Sequence, residues 1–335
     1  MYHARFKGTH YETGFKWGNK LLKYGVKLDF SPTFTLDDEK YEFAELCRKE
    51  YARHYPEVLE EIKGVADGNE TDLKILHAIL FSMYCFELDN RCTCFALSTD
   101  KEIIFGRNSD FLVSLEKYYM NCIYKLVGGY AFNGNTTAYV EMEDGVNEHG
   151  LAAGLTFVYP RLRKPGLNSG MLLRYILEKC KTTKEAVEQF HLLPIASAQT
   201  ITLADKYGDI AVVESNPEQV VVIKPEQGQQ FVATANNFNS DKMQKYRNPT
   251  VDDWHSDERY QTACKTLKDN KNMYSIDFAQ SLLAGKYGFM CQYDRKKNAD
   301  TVWSVIYDLK RKQVWRVEGN PSRKKFKEDA RLTIN

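Results

Sequence analysis

The stretch Asn90-Arg91-Cys92-Thr93-Cys94-Phe95 sets two thiols two residues apart, at a point where helical text gives way to β-rich text. Such a junction suits a catalytic thiol, whose thiolate can carry an acyl group as a thioester. Taken alone, a C-x-C pair more often marks alternate positions of a strand, where cysteine packs as a small apolar side chain. A C-x-C pair also invites a structural zinc reading, which is disfavoured because such a site wants four ligands and the sequence offers no other close Cys/His pair. A papain-like thiol hydrolase would need a separate histidine base, and none of His149, His191 and His255 stands in a recognisable signature. The chemistry of Cys92 or Cys94 therefore depends on neighbours brought in from elsewhere in the chain.

Those neighbours must be supplied by a chain of 335 residues, enough for one large domain or two modest ones. Tyr41 to Gly64 and Leu73 to Glu87 repeat apolar residues at three- and four-residue intervals, so residues 1 to about 88 read as helical. Pro56 opens a helix, Asp67-Gly68-Asn69 reads as a turn, and Thr71 or Asp72 caps the helix after it. From Cys92 onward CTCFALST, EIIFGRNS, NCIYKLV and TTAYVEME are short strand-like runs. Helices are expected over 170–181 and 184–192, then strands in TITLADK, IAVVES, QVVVIKP and FVATANN. Helices over 257–268 and 276–283 follow, with closing strands in TVWSVIYDL and QVWRVEG. Two β series flanked by helices fit an α+β layered domain. The lack of strict β-α-β alternation, of a Walker A sequence and of a strand-borne G-x-G-x-x-G argues against a nucleotide fold.

Composition narrows the function classes further. Lys and Arg (46) nearly cancel Asp and Glu (45), so the whole-chain charge leaves no footprint for nucleic acid or an anionic membrane. No apolar run nears the ~18–20 residues that cross a bilayer, and the opening lacks the apolar core of a secretory signal, so a cytoplasmic protein is expected. Eight dispersed cysteines in a chain of this length read as reduced thiols.

Several further stretches stand out together: Gly106 to Phe111 (GRNSDF), Asp144 to Phe157 (DGVNEHGLAAGLTF), Thr234 to Phe238 (TANNF), Ser256 to Tyr260 (SDERY), and Thr301 to Leu309 with Gly319-Asn320-Pro321. As a set they resemble the N-terminal-nucleophile (Ntn) amide hydrolases of the choloylglycine hydrolase and penicillin acylase group. The likeness is strongest to the isopenicillin-N acyltransferase-like branch, which comprises the acyl-CoA:6-aminopenicillanic acid acyltransferases, peptidase class C45. It runs nearly end to end: GTHYETGFKWG resembles that branch's pro-segment start, and Cys-Thr followed fourteen residues on by G-R-N-x-D-F resembles its nucleophile strand and the strand paired with it.

The resemblance implies an αββα four-layer sandwich with two central antiparallel sheets, preceded by a helical pro-segment. Cleavage between Arg91 and Cys92 would divide the chain into a pro-segment 1–91 and a catalytic domain 92–335. It implies Cys92 as nucleophile in preference to Cys94, with the freed α-amine as base, since an unperturbed α-amine titrates near ~7.7–8.0. Arg107 and Asp110 match the charged pair beside the nucleophile, and their spacing lets both approach it. Asn236, in preference to Asn237, matches the oxyanion asparagine, Thr156 the position giving a backbone N–H to the oxyanion, and Arg259 a second nearby cation. Asn147, Glu148, His149 and Gly150 match a structural N-E-x-G turn. Arg91 and Ser109 depart from the pattern, Arg91 standing where relatives carry a small residue. The implied substrate is a small-molecule linear amide, with no metal or organic cofactor, no nucleic acid and no membrane. A heterodimer of the two cleavage fragments and a homo-oligomer are both open. A processing-deficient relative that binds an amide without turning it over is the second reading.

Overall fold

The computed structural model of the chain describes residues 1–29, 35–86, 91–251 and 254–335. Its elements begin with β1 (Tyr2–Gly8), α1 (His10–Lys23), α2 (Asp38–His54), α3 (Pro56–Asn69), α4 (Leu73–Ser82), β2 (Arg91–Ser98) and β3 (Ile103–Leu112). Next come β4 (Met120–Leu126), β5 (Phe132–Thr136), β6 (Asp144–Asn147), β7 (Leu151–Phe157), α5 (Ser169–Lys179), α6 (Thr183–Leu192), β8 (Gln199–Asp205) and β9 (Ile210–Ser215). The chain ends with β10 (Val220–Ile223), β11 (Phe231–Thr234), α7 (Ser256–Asp269), α8 (Ile276–Leu283), β12 (Ala299–Asp308), β13 (Gln313–Val317) and β14 (Lys327–Glu328).

The strands form two sheets. One has eight strands in the order β1-β4-β5-β6-β7-β8-β9-β10, the other six in the order β11-β2-β3-β12-β13-β14. Neighbours β2, β3, β7 and β8 touch across the two sheets, α5 and α6 cover the outer face of the first, and α7 and α8 cover the outer face of the second. This is the expected layered α+β arrangement. Its period-two logic is visible in β2, where Cys94 and Ala96 join the core between the sheets while Phe95 and Leu97 pack with Leu267, Phe278 and Leu282 of α7 and α8.

The opening third is not wholly helical. Tyr2–Gly8 is a strand with Ala4 and Phe6 buried, and it pairs in parallel with β4, Tyr2 opposite Met120 and Gly8 opposite Leu126. The first sheet is therefore mixed at one edge rather than purely antiparallel. The Asp67-Gly68-Asn69 turn is also corrected: these residues are the last turn of α3, and the chain reverses at Glu70, whose φ is 54°. Gly68 answers to packing instead. A Cβ on it would lie 2.2 Å from Phe15 O, and one on Gly18 2.2 Å from Val65 O, so α1 and α3 meet backbone to backbone. Pro56 does open α3, at its first position. TTAYVEME continues as strand only through Thr136, because the chain then leaves the sheet to bring Glu141 and Glu143 inside. The helix expected to reach Glu87 ends at Ser82; Glu87 and Asn90 lie outside the described residues.

Residues 1–86 are tied to the remainder by buried charge as well as by β1. Arg174 of α5 donates to Glu61 of α3 at 2.8 Å and to Glu178 at 2.6 Å, and Tyr55 donates to Glu178 at 2.5 Å. With the ions buried and each hydrogen-bonded, removing one partner would strand the others in a low-dielectric interior.

Candidate active site

β2 lies between β11 and β3, with Arg91 opposite Asp110, Cys92 opposite Ser109 and Cys94 opposite both Arg107 and Thr234. Cys92 and Cys94 are fully buried. The sheets can close over them because β7 carries Gly154: a Cβ there would sit 2.5 Å from Phe105 Cζ and 3.1 Å from both Arg107 Cδ and Cys94 Sγ.

Arg107 is the cation directed at the thiol. Its Nη2 donates to Cys92 Sγ at 2.7 Å, Nη1 to Asp144 Oδ2 at 2.7 Å, and Nε to the Leu155 carbonyl at 3.0 Å. Glu143 accepts from the same Nη2 at 3.2 Å and from Ser109 Oγ at 3.2 Å. Asp144 is itself fixed by Trp303 Nε1 at 2.8 Å and Tyr307 OH at 2.8 Å. The guanidinium is thus anchored on three sides, and one edge is presented to sulfur. Burial pushes the Cys92 thiol up to about 12; the Arg107 charge opposes this, while Glu143 and Asp110 add to it. In the continuous chain the sulfur is a thiol at neutral pH.

Asp110 lies on the other face of β3, because residues three apart in a strand point to opposite sides. Arg107 pairs with Asp144 and Glu143, while Asp110 stands 3.7 Å from Arg259 of α7, and the charges of both Arg107 and Asp110 are felt at Cys92. Thr301 Oγ1 and Tyr293 OH donate to Asp110 at 2.6 and 3.0 Å. Burial lifts the Asp110 carboxyl to about 6, against the pull of Arg259 and of these two hydrogen bonds.

Arg259 and Asn236 hold the backbone of Cys92. Arg259 Nη1 donates to the Cys92 carbonyl at 2.6 Å and to Thr93 Oγ1 at 2.8 Å, and its Nη2 donates to Asn236 Oδ1 at 2.9 Å. The same Oδ1 accepts from the Cys92 amide N–H at 2.9 Å, and Asn236 Nδ2 donates to the Phe157 carbonyl at 2.8 Å. Asn237 Nδ2 donates to Asp257 at 3.2 Å. Thr156 precedes Phe157 on β7, and its hydroxyl lies in a cluster with those of Thr200 and Thr234. Cys92, Arg107, Asp110, Thr156, Asn236 and Arg259 are thereby gathered at one end of the two sheets from β2, β3, β7, the loop after β11, and α7.

The model of the family described as acyl-coenzyme A:6-aminopenicillanic acid acyl-transferase matches residues 97–323, well over half of the chain. The chain belongs to that family. The match begins past Cys92 and takes in Arg107, Asp110, Thr156, Asn236 and Arg259. Among solved structures, two mutant forms of the conjugated bile acid hydrolase from Clostridium perfringens are each 16% identical. One gives a TM-score of 0.50 over 72% of this chain and 98% of that one; the other gives 0.51 over 73% and 99%. Penicillin V acylase from Agrobacterium tumefaciens is 18% identical over 68% of this chain and 82% of its own, at a TM-score of 0.47. The bile acid hydrolase likeness establishes the fold, which is that of the Ntn hydrolases.

Within this acyl-transferase-family chain the sequence left two groups without a part. Asp144 and Glu143 border the N-E-x-G stretch, yet nothing in their spacing from Arg107 announces contact, which depends on how β6 and β3 lie in facing sheets. The turn itself is structural, as expected. Asn147 Oδ1 accepts from His149 N and Leu151 N, its Nδ2 donates to the Leu177 and Cys180 carbonyls, and Gly150 takes φ +80°. Tyr293 and Trp254 had no pattern to mark them. Among the described residues no group of three or more His, Cys, Asp or Glu could hold a metal ion, and no helix is long and apolar enough to cross a membrane.

Proposed function

We propose that this chain cuts itself between Arg91 and Cys92, dividing into a pro-segment 1–91 and a catalytic domain 92–335. It then cleaves linear amides through a thioester on Cys92, delivering the acyl group to water or to an amine. The observation that carries the proposal is the convergence on one residue: Arg107 donates to Cys92 Sγ at 2.7 Å while Asn236 accepts from Cys92 N at 2.9 Å. This arrangement supports the reading, since it sets a cation against the Cys92 sulfur and a polar anchor on the Cys92 nitrogen.

The chemistry follows from the protonation states. A thiol near 12 cannot act unaided at neutral pH, so it needs a base. In the self-cutting step Sγ attacks the Arg91 carbonyl carbon, the bond from that carbon to Cys92 N breaks, and the thiol proton passes to the departing nitrogen. Water then hydrolyses the Arg91 thioester, leaving a carboxylate on the pro-segment and a free α-amine beside Sγ. With an ordinary pKa near ~7.7–8.0, that amine takes the thiol proton when an external amide arrives. Arg107 favours the thiolate, and Asn236 Nδ2, with the backbone N–H of Thr156, stabilises the tetrahedral oxyanion. An amide nitrogen has two protons, so Asn236 can serve the oxyanion while retaining its bond to Phe157 O. Asp110 holds Arg259, and Arg259 holds the Cys92 carbonyl.

Intact mass of the purified chain tests this directly. Wild type is expected as two fragments divided before Cys92, and Cys92→Ala as a single chain. If a chain verified as uncut turns over an amide as fast as the cut form, the α-amine is not the base and the mechanism is wrong.

A further inference from the structure

Arg91 is only 1% exposed. Its Nη2 donates to Tyr159 OH at 2.7 Å, and its guanidinium carbon lies 4.6 Å from the Tyr159 ring centroid and 5.7 Å from that of Trp254. Among the described residues, the holder for this flat cation therefore includes two rings and one hydroxyl. A desolvated cation over such rings is attracted by their quadrupoles more strongly than one left in water.

That holder is braced independently of Arg91. Tyr159 packs on Phe157 with ring centroids 5.3 Å apart, and Trp254 packs on Tyr293 at 5.7 Å. Tyr293 is in turn bonded to Asp110 at 3.0 Å. The rings have reasons to stay where they are once the pro-segment terminus leaves, and binding to a preorganised site costs less ordering.

The covalent bookkeeping says what enters next. During self-cleavage the acyl group on Cys92 sulfur is that of Arg91. During turnover it is that of the substrate, on the same sulfur beside the same α-amine. The two thioesters differ only in the acyl chain, so the place that holds the Arg91 side chain is the place where the substrate's acyl side chain lies.

We propose that Tyr159 and Trp254 form the acyl-specificity site, and that the preferred acyl group carries a guanidinium or similarly flat cation about as far from its carbonyl as that of an arginine residue. The inference rests on the Cys92 thioester reading and adds to it the substrate class. It also gives Arg91 a role at a position where the family resemblance implies a small residue: the pro-segment terminus occupies the acyl site until it is cut.

The test uses the full chain after self-cleavage, both fragments together, with three aminocoumarin amides as probes: δ-guanidinovaleryl, heptanoyl and δ-phenylvaleryl. The guanidino amide is expected to exceed both neutral amides in kcat/KM by about 10- to 30-fold. Tyr159→Leu and Trp254→Leu should each bring that ratio towards one, while Tyr159→Phe, which keeps the ring, should retain most of it. Acylation of Cys92 is read in parallel by mass after rapid quench. Equal or faster turnover of a neutral amide, with Cys92 acylated, overturns the specificity inference and leaves the thioester reading standing. Turnover of any probe without acylation of Cys92, or no turnover at all by a chain that has cut itself, overturns both.

Discussion

Asp110 offers a measurable contest between stability and chemistry. Burial raises its carboxyl from an ordinary 3.8 to about 6. A carboxyl whose folded pKa lies above its unfolded one binds protons more tightly when folded. Its contribution to stability is therefore complete below pH ~4 and is lost as pH rises through about 6. A shift of roughly two units corresponds to about 3 kcal/mol, so the ionised carboxylate costs the uncut fold that much at neutral pH. Asp110→Asn keeps the shape and removes the titration. The experiment is urea unfolding of Cys92→Ala and of Cys92→Ala/Asp110→Asn at half-unit steps from pH 4 to 8, the first substitution keeping both chains uncut. The stability of the double variant relative to its parent should rise by about 1.4 kcal/mol per pH unit between pH 4 and 6 and then level off. In an otherwise wild-type chain Asp110→Asn should sharply slow self-cleavage, because Arg259 loses its counter-charge. A difference that stays flat across the whole pH range would refute the reasoning, since it would mean that Asp110 titrates alike in folded and unfolded chains.

Three further outcomes are expected. Cys92→Ala abolishes both self-cleavage and amide turnover by mass and by fluorogenic assay, whereas Cys94→Ala, which removes a thiol packed against β7 rather than one bonded to Arg107, keeps most activity; the reverse pattern would move the nucleophile two residues along. Asn236→Ala lowers kcat by ~10²–10³ with little change in KM, as removal of one preorganised oxyanion donor does, and an equal loss from Asn237→Ala would overturn the choice between them. Gly154→Ala forces a methyl group to within 2.5 Å of Phe105 and 3.1 Å of Arg107 Cδ, so it should destabilise the fold by ~1–3 kcal/mol in urea unfolding and slow turnover by displacing the guanidinium.

What could be read from the sequence had local causes. The runs around Cys92, Gly106, Ile201 and Ile210 became strands because β-branched and aromatic residues crowd them, and Pro56 began a helix because its fixed φ suits the first turn. Tyr2–Gly8 was missed because its partner β4 lies more than a hundred residues away, and Asp67-Gly68-Asn69 was misread because a glycine needed for close helix packing looks the same as one needed for a turn. The site residues were placed near one another by family pattern, but their pairings depend on strand parity and facing sheets. Asp110 meets Arg259 for the first reason, and Asp144 reaches Arg107 for the second.

The parallel pairing of β1 with β4 bears on the molecularity of folding. Before the proposed cut, closing the eight-stranded sheet is a first-order event within one chain, and a unique unfolding free energy exists. Afterwards β1 and the Glu61 carboxylate belong to one polypeptide while β4 and Arg174 belong to another. Reassembly becomes second order, so the midpoint of unfolding should shift with protein concentration and recovery from denaturant should fail on dilution. Until its partner arrives, the lone 92–335 fragment would display the backbone edge of β4, Met120–Leu126, an open template for association with other copies. The cut would turn a reversible fold into one that is kinetically trapped, made once from a single chain and not readily remade from two.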